Sequence, residues 1–328
     1  MKKFVIAAAA ALLASLAAGV SAQEGPFPSK PIRIIVPLAP GGATDTIARI
    51  VGKQLSIALN TPVLIENRTG AGGIIGLDAA ARAPKDGYTL FAGNVSTNAI
   101  NQTIFADKLK FKVVDALQPI SMMATIPHTV TVSNLFEPKT IAEFVAYAKA
   151  HPGKVNYATP GAGSYPQIDM MNFERAAGLQ MVHVPYAGGV GQYLVPMSAN
   201  EVQVGFINAS SVIEMIKGGR LRALAVTTEQ RLPELPNVPT LAESGYPNIG
   251  TNAWNALFAP AGTPQPVIDK LFAGVLQALN SPEVKESFAK ILITPAPSKS
   301  PAEFDAFIRS ETARWGDLVT KLGVKVEN

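Results

Sequence analysis

The sequence predicts an α/β protein built as two lobes, and three observations carry that reading. Its 328 residues correspond to about two domains at roughly 150 residues each. After residue 30, short apolar runs alternate with longer segments of helical periodicity. This β-α-β-α-β order calls for a parallel sheet covered by helices. A second alternation of the same kind fills the middle of the chain, with no Gly/Ser-rich or Pro-rich linker between the two.

The first 22 residues read as an export signal. Lys2 and Lys3 form a basic start, residues 4–18 an apolar Ala/Leu-rich run, and Val20-Ser-Ala22 a small-x-small cleavage site. The apolar run is shorter than the ~20 residues a membrane span requires, and no Cys stands at the cleavage point to take a lipid anchor. Cleavage after Ala22 starts the mature chain at Gln23 and places it in the periplasm or the medium. That compartment lacks ATP and NAD, which argues against nucleotide-dependent enzymes.

Residues 32–37 read as a buried strand. Residues 46–59 read as a helix, with Ile47, Ile50, Val51, Leu55 and Ala58 on one face. A second strand covers 63–66, a second helix 74–83 and a third strand 88–92. Further strands are expected at 130–132, 155–158, 181–185, 202–207 and 221–227, with helical segments between them. Thr140 with Glu143 and Thr240 with Glu243 form capping boxes. Thr263-Pro264, Ser281-Pro282 and Ser300-Pro301 each set a capping residue before a proline at the first helical position. The last helix carries Phe304, Phe307, Ile308, Trp315 and Leu318 on its apolar side. The chain is expected to cross between lobes in extended segments near 125 and 250. The first lobe is then 23–124 plus 251–328, and the second 125–250.

Composition excludes several chemistries. There is no Cys, hence no thiolate metal site, Cys nucleophile or disulfide. The three histidines, His128, His151 and His183, lie in no zinc-ligand spacing. His183 reads as a satisfied half-buried residue, His151 as punctuation at a helix end, and His128 follows a proline near a crossover. Loss of Lys2 and Lys3 takes 28 basic residues to 26, against 24 acids. No Lys/Arg block appears, so nucleic acid is a poor partner. There is no P-loop, and Gly161-Ala-Gly-Ser164 is not the G-x-S-x-G of a nucleophile elbow. Gly70-Ala-Gly-Gly-Ile-Ile-Gly76 departs from the dinucleotide spacing, and no acid stands about 20 residues on. Close helix–strand packing is its better explanation, and no cofactor is expected.

Two glycine-bearing strand-to-helix turns are the candidate site. The first is Ile34-Ile-Val-Pro-Leu-Ala-Pro-Gly-Gly-Ala-Thr-Asp45. Gly41 and Gly42 expose backbone N–H groups, and Thr44 and Asp45 are candidate caps of the helix that follows. The second is Thr159-Pro-Gly-Ala-Gly-Ser-Tyr-Pro166, where Ser164 offers a hydroxyl and an N–H. One such turn per lobe gives two helix N-termini converging on a cleft, a site for a carboxylate that spends no Arg. Val184-Pro-Tyr-Ala-Gly-Gly189 is a further small-residue turn. Asn208 ends a strand with a side chain able to donate to a carboxylate. Tyr165 and Phe206 are aromatic faces for a flat ligand.

Taken in order, several segments form one pattern: Pro40-Gly-Gly42 with Asp45, Val63-Leu-Ile-Glu-Asn-Arg68 with Gly70-Ala-Gly-Gly73, Pro84-Lys-Asp-Gly-Tyr-Thr-Leu90 and Val184-Pro-Tyr186. Gly219-Arg-Leu-Arg-Ala-Leu-Ala-Val226, Val238-Pro-Thr240 and Phe258-Ala-Pro-Ala-Gly-Thr-Pro264 complete it. With these, the chain resembles the Bug family of periplasmic solute-binding proteins, the TctC-like receptors of tripartite tricarboxylate transporters, over its whole mature length. The resemblance implies a bilobed periplasmic-binding-protein fold, two α/β domains joined by crossover segments with a ligand cleft between them. It implies capture of a small organic carboxylate and its delivery to membrane transporter subunits, with no bond made or broken.

Carried over by position, the first-lobe contacts are Ala39, Gly41, Gly42, Thr44 and Asp45, with Asp45 organising the loop or a water. The second lobe supplies Gly163, Ser164, Tyr165 and Pro166, with Asn208 and Ala209 at the distal end. Asn94 and Ser96 are further candidates. This chain departs from the family pattern at Gln167, where relatives often carry His. It also departs in Gly93-Asn-Val-Ser-Thr-Asn98, which lacks a common His, and near Asn208, which lacks a common Asp. Tyr165 and Pro166 favour a flat or aromatic carboxylate over a tricarboxylate. A dicarboxylate also fits, and a monomer is expected. A receptor that presents ligand to a sensor kinase shares every one of these features. An exported hydrolase would need a nucleophile–base pair that three scattered histidines do not supply.

Overall fold

The structure, a computed structural model, describes residues 26–186 and 189–324. The expected export signal, Ala187-Gly188 of the small-residue turn and the last four residues lie outside them. Strand β1 (Ile32–Val36) is almost wholly buried and leads through the first glycine turn into α1 (Ala43–Ala58), which buries Ile47, Ala48, Val51 and Leu55. Strand β2 (Val63–Asn67) returns beside β1. A 3-10 turn at Ala71–Gly73 enters α2 (Ile74–Ala81). At Gly76 a side chain would come within 2.8 Å of the Arg68 carbonyl and 2.9 Å of Pro37 Cα, so this glycine serves close packing of α2 on β1. Strand β3 (Thr89–Asn94) ends in a π-helical turn, Val95–Ile100, and the short helices α3 (Asn101–Ile104) and α4 (Val113–Ala116) lead to β4 (Leu117–Ile126).

One residue later the chain is in a second sheet. Strand β5 (His128–Ser133) is followed by α5 (Ile141–Ala150), β6 (Asn156–Thr159), α6 (Tyr165–Ala177), β7 (Val182–Pro185), α7 (Leu194–Ser198), β8 (Val204–Asn208), α8 (Ala209–Lys217) and β9 (Leu221–Val226). Residues 227–252 carry the chain back to β10 (Ala253–Pro260). Then come α9 (Gln265–Asn280), α10 (Pro282–Lys290), β11 (Thr294–Pro295) and α11 (Pro301–Leu322). The strand orders are β11-β4-β10-β3-β1-β2 and β7-β6-β8-β5-β9.

The structure differs from several sequence expectations, each for a local reason. The first sheet is mixed, not parallel: β10 runs antiparallel between β3 and β4. Every residue of β10 is buried, so it lacks the alternation that marks a half-exposed strand. The first helix starts at Ala43 with Gly42 as its cap, so Thr44 and Asp45 lie inside its first turn. The Thr240/Glu243 box forms, with reciprocal bonds of 3.0 and 2.7 Å, but only a turn follows, because Gly245 at φ 90° and Pro247 stop it. Thr263 donates its hydroxyl to the Pro260 carbonyl, leaving Pro264 as the cap of α9.

One apolar core lies under the first sheet and includes Phe91, Phe258, Phe288 and Trp315. A second, around Phe144, Phe173 and Phe206, lies under the other. Tyr165 and Ile168, from the first turns of α6, pack into the first core, so this helix starts against the opposite lobe. Helix α11 is clamped to β10 where the Trp254 and Trp315 indoles both donate to Glu311 Oε2, at 2.9 and 3.2 Å. Its start is capped by Ser300, whose hydroxyl accepts from the Glu303 N–H at 3.1 Å. Ser300→Ala is expected to cost about 1 kcal/mol, read as a small drop in urea midpoint with unchanged m-value.

Candidate ligand site between the lobes

The first glycine turn is held from beneath by Asp45. Its buried carboxylate accepts from the Gly41 N–H at 2.9 Å, from the Asn67 amide at 2.9 Å and from Arg49 Nε at 3.0 Å. Burial alone would raise its pKa. The bonds from Arg49, Gly41 and Asn67 outweigh that and hold it below the usual carboxylate range. Gly41 takes φ 80°, a conformation that favours glycine. The Gly42 N–H is shared with the Ala39 carbonyl at 3.4 Å. The N–H groups of Ala43, Thr44 and Asp45 open α1 and have no carbonyl one turn back. They lie at the positive end of a 16-residue helix.

Asn94, at the end of β3, ties this helix start to the π-helical turn that follows it. Its amide donates to Thr44 Oγ1 at 3.0 Å and its carbonyl accepts from the Thr97 N–H at 3.1 Å. Two residues on, Ser96 Oγ accepts from the Tyr165 N–H at 3.1 Å. The first residue of α6 is thereby hydrogen-bonded to the first lobe.

The second glycine turn is folded in on itself. The Gly163 N–H donates to Gln167 Oε1 at 2.6 Å, and the Gln167 amide lies 3.2 Å from His183 Nδ1. His183 Nε2 lies 2.7 Å from Thr159 Oγ1, whose hydroxyl donates to the Gly161 carbonyl at 3.1 Å. One neutral His183 tautomer, protonated at Nε2, satisfies all four groups, and burial lowers its pKa accordingly. The Ser164 hydroxyl also donates to the Gly161 carbonyl, at 2.7 Å. The donors expected for a ligand at Gly163, Ser164 and Tyr165 are therefore engaged within the protein, as buried polar groups must be. Pro166 is buried with no N–H to give. The Ala209 N–H, at the start of α8, donates to the Pro127 carbonyl at 2.9 Å.

The aromatic faces also differ from expectation. Phe206 is 1% exposed and packs edge-on against Phe173 in the second core. Tyr165 is 8% exposed and meets the His128 ring edge-on, with centroids 4.9 Å apart. Neither offers a free platform for a flat ligand.

Four residues outside the expected set complete the junction. His128 is fully buried, with Nδ1 3.0 Å from the Thr251 carbonyl and Nε2 2.7 Å from the Tyr165 hydroxyl. That hydroxyl is also 3.0 Å from Asn208. Asp169, on α6, accepts from the Thr251 hydroxyl at 2.9 Å while its second oxygen has no partner. Gln167 is the fourth. His128 carried a sequence signal in its place behind Pro127 at the crossover, and Gln167 in its departure from the family pattern; Asp169 and Thr251 carried none. No group of three or more His, Asp or Glu side chains gathers to hold a metal ion among the described residues.

This arrangement brings one helix N-terminus, through Asn94 and Ser96, to the junction with the second lobe near the carboxyl ends of β6 and β8. A family model described as the tripartite tricarboxylate transporter family receptor matches residues 47–324. The chain belongs to this TctC receptor family. The receptor is 35% identical to Protein BugT of Bordetella pertussis over 314 residues, 96% of this chain and 95% of that one. It is similar to the solved periplasmic binding protein BugD, with a TM-score of 0.84 and 28% identity over 92% of this chain and 100% of the other. MatC from Rhodopseudomonas palustris with bound malate gives 0.82 and 29%, covering 89% and 100%. An R. palustris protein with adipate gives 0.83 and 27%, covering 91% and 99%. The two sheets thus form the bilobed periplasmic-binding-protein fold. The TctC receptor is a solute-binding protein and not an enzyme, which removes the hydrolase alternative.

Proposed function

We propose that this receptor, exported and cleaved after Ala22, captures a small organic carboxylate in the periplasm. The ligand sits between a first lobe of 23–124 plus 251–328 and a second of 125–250. A monomer delivers it to the membrane subunits of a tripartite tricarboxylate-type transporter. The observation that carries the reading is the start of α1: uncommitted first-turn N–H groups on a loop braced by Asp45 and Asn94, with Ser96, two residues past Asn94, bonded to the start of α6. Such a terminus takes a carboxylate without a cationic side chain, and a hinge closure lets one ligand touch both lobes. The malate and adipate held by relatives support this ligand class. The buried Tyr165 ring weighs toward an aliphatic acid over an aromatic one.

A thermal-shift panel on residues 23–328 tests it, with dicarboxylates, aromatic carboxylates and citrate, and with NAD and ATP as controls. A carboxylate at about 100 times its dissociation constant adds ~2.7 kcal/mol, a rise of a few degrees at this size. A shift with nucleotides and none with any carboxylate would overturn the reading.

A further inference from the structure

The Tyr165 hydroxyl has one proton and two neighbours. It lies 2.7 Å from His128 Nε2 and 3.0 Å from the Asn208 amide oxygen. A hydroxyl donates once, so one of these contacts must run the other way. The His128 ring decides which. Its Nδ1 faces the Thr251 carbonyl at 3.0 Å, and a carbonyl only accepts, so Nδ1 carries the proton. A second proton on Nε2 would make a cation in a site without solvent exposure. Burial instead pushes the His128 pKa down to about 4. Asp169 is the buried acid of this junction, and its one bonded oxygen is taken by the Thr251 hydroxyl, not by the imidazole. Nε2 is therefore bare and takes the Tyr165 proton.

The contact with Asn208 then requires the amide nitrogen, because the tyrosine oxygen has only lone pairs left to offer. The two ends of an amide have the same shape, and their assignment follows the hydrogen-bond network. From this proton count we infer that the Asn208 amide is turned half a rotation, donating through Nδ2 to Tyr165 and presenting its carbonyl oxygen to the cleft as the site's distal specificity group.

Asn208 ends β8, pairs in register with His128 on β5 and is only half-buried. The far end of its amide has no hydrogen-bond partner among the described residues. The site thus has opposite polarity at its two ends: N–H donors at the start of α1 and an acceptor at Asn208. The matching ligand is a carboxylate carrying a hydroxyl, amine or amide N–H at its distal end. A second bare carboxylate would set like lone pairs against Asn208. This inference rests on the carboxylate-receptor reading above.

Calorimetric titration at pH 7.5 tests it with succinate against 2-hydroxysuccinate, adipate against 2-aminoadipate, and benzoate against 4-hydroxybenzoate. In at least one pair, the donor-bearing member should bind wild-type protein tenfold tighter or better, and Asn208→Ala should shrink that ratio to near one. Equal or tighter binding by the donor-free members of all pairs, or a ratio that survives Asn208→Ala, overturns the inference while leaving the receptor reading intact. Binding of none of the six overturns the inference, and with no shift from any carboxylate of the wider panel it sinks the receptor reading too. Independently, 15N chemical shifts of the His128 ring should report a neutral imidazole protonated at Nδ1. A doubly protonated ring at pH 7.5 would reverse the proton count and the polarity with it.

Discussion

Asp169→Asn is expected to melt well above wild type at pH 8 and to converge with it near pH 4. Asp169 is 2% exposed, and one of its oxygens has no partner. Burial lifts its pKa to about 7, against smaller downward pulls from Thr251 and Arg314. An acid raised in the folded state keeps its proton there after the unfolded chain has lost its own. Stability therefore falls as pH climbs from about 4 to about 7, and the full penalty applies above that. A shift of about three units corresponds to at most about 4 kcal/mol. Asparagine keeps the acceptor for the Thr251 hydroxyl and has no charge to bury. Glu174, raised to about 7 by burial, slopes the same way. His128, lowered to about 4, slopes the opposite way. Both remain in the variant, so the difference between the two melting curves isolates Asp169. Curves that run parallel from pH 5 to pH 8 would show that no buried charge at this position is being relieved.

The position of Asp169 also explains why it was not legible in the sequence. It meets Thr251 across 82 residues, where the chain re-enters the first lobe, and nothing local marks either residue. Tyr165, His128 and Asn208 were each marked locally in the sequence, but not their meeting, which spans separations of 37 and 43 residues. The glycine turns were legible because their signal is local: a strand, small residues that tolerate a left-handed backbone, and a helix start. Their donors were not, because whether an N–H is free depends on side chains such as Gln167 and Ser96 that reach it only in the fold. The alternating strands of the first lobe were visible for the same local reason. The antiparallel pairing of β10 with β3 and β4 was not, since a strand buried along its whole length has no period to read.

Asp45→Ala is expected to weaken carboxylate binding at least a hundredfold and to destabilise the fold by about 1.5–3 kcal/mol, the worth of hydrogen bonds to a charged group, because water can reach the Gly41 and Arg49 donors, which are exposed. Two physical arguments give opposite signs here, which makes the experiment decisive. If Asp45 acted only as a charge near the site, its removal would relieve repulsion and tighten anion binding. The geometry says otherwise. Its carboxylate holds the Gly41 N–H, the Asn67 amide and Arg49 together, and that fixes the loop entering α1 in front of the proposed ligand donors. Asp45→Asn keeps an acceptor for the Gly41 N–H and should recover part of the loss, which charge removal alone would not distinguish from alanine. The pH dependence supplies a second check. The Asp45 pKa is depressed in the fold, so its stabilisation is present above the unfolded value near 4 and is lost as pH falls through the lowered folded value. The stability gap between wild type and Asp45→Ala should therefore be full at pH 7 and narrow below pH 4. A gap unchanged at pH 3, or tighter binding by the alanine variant, would remove Asp45 from its place as the residue that positions the loop.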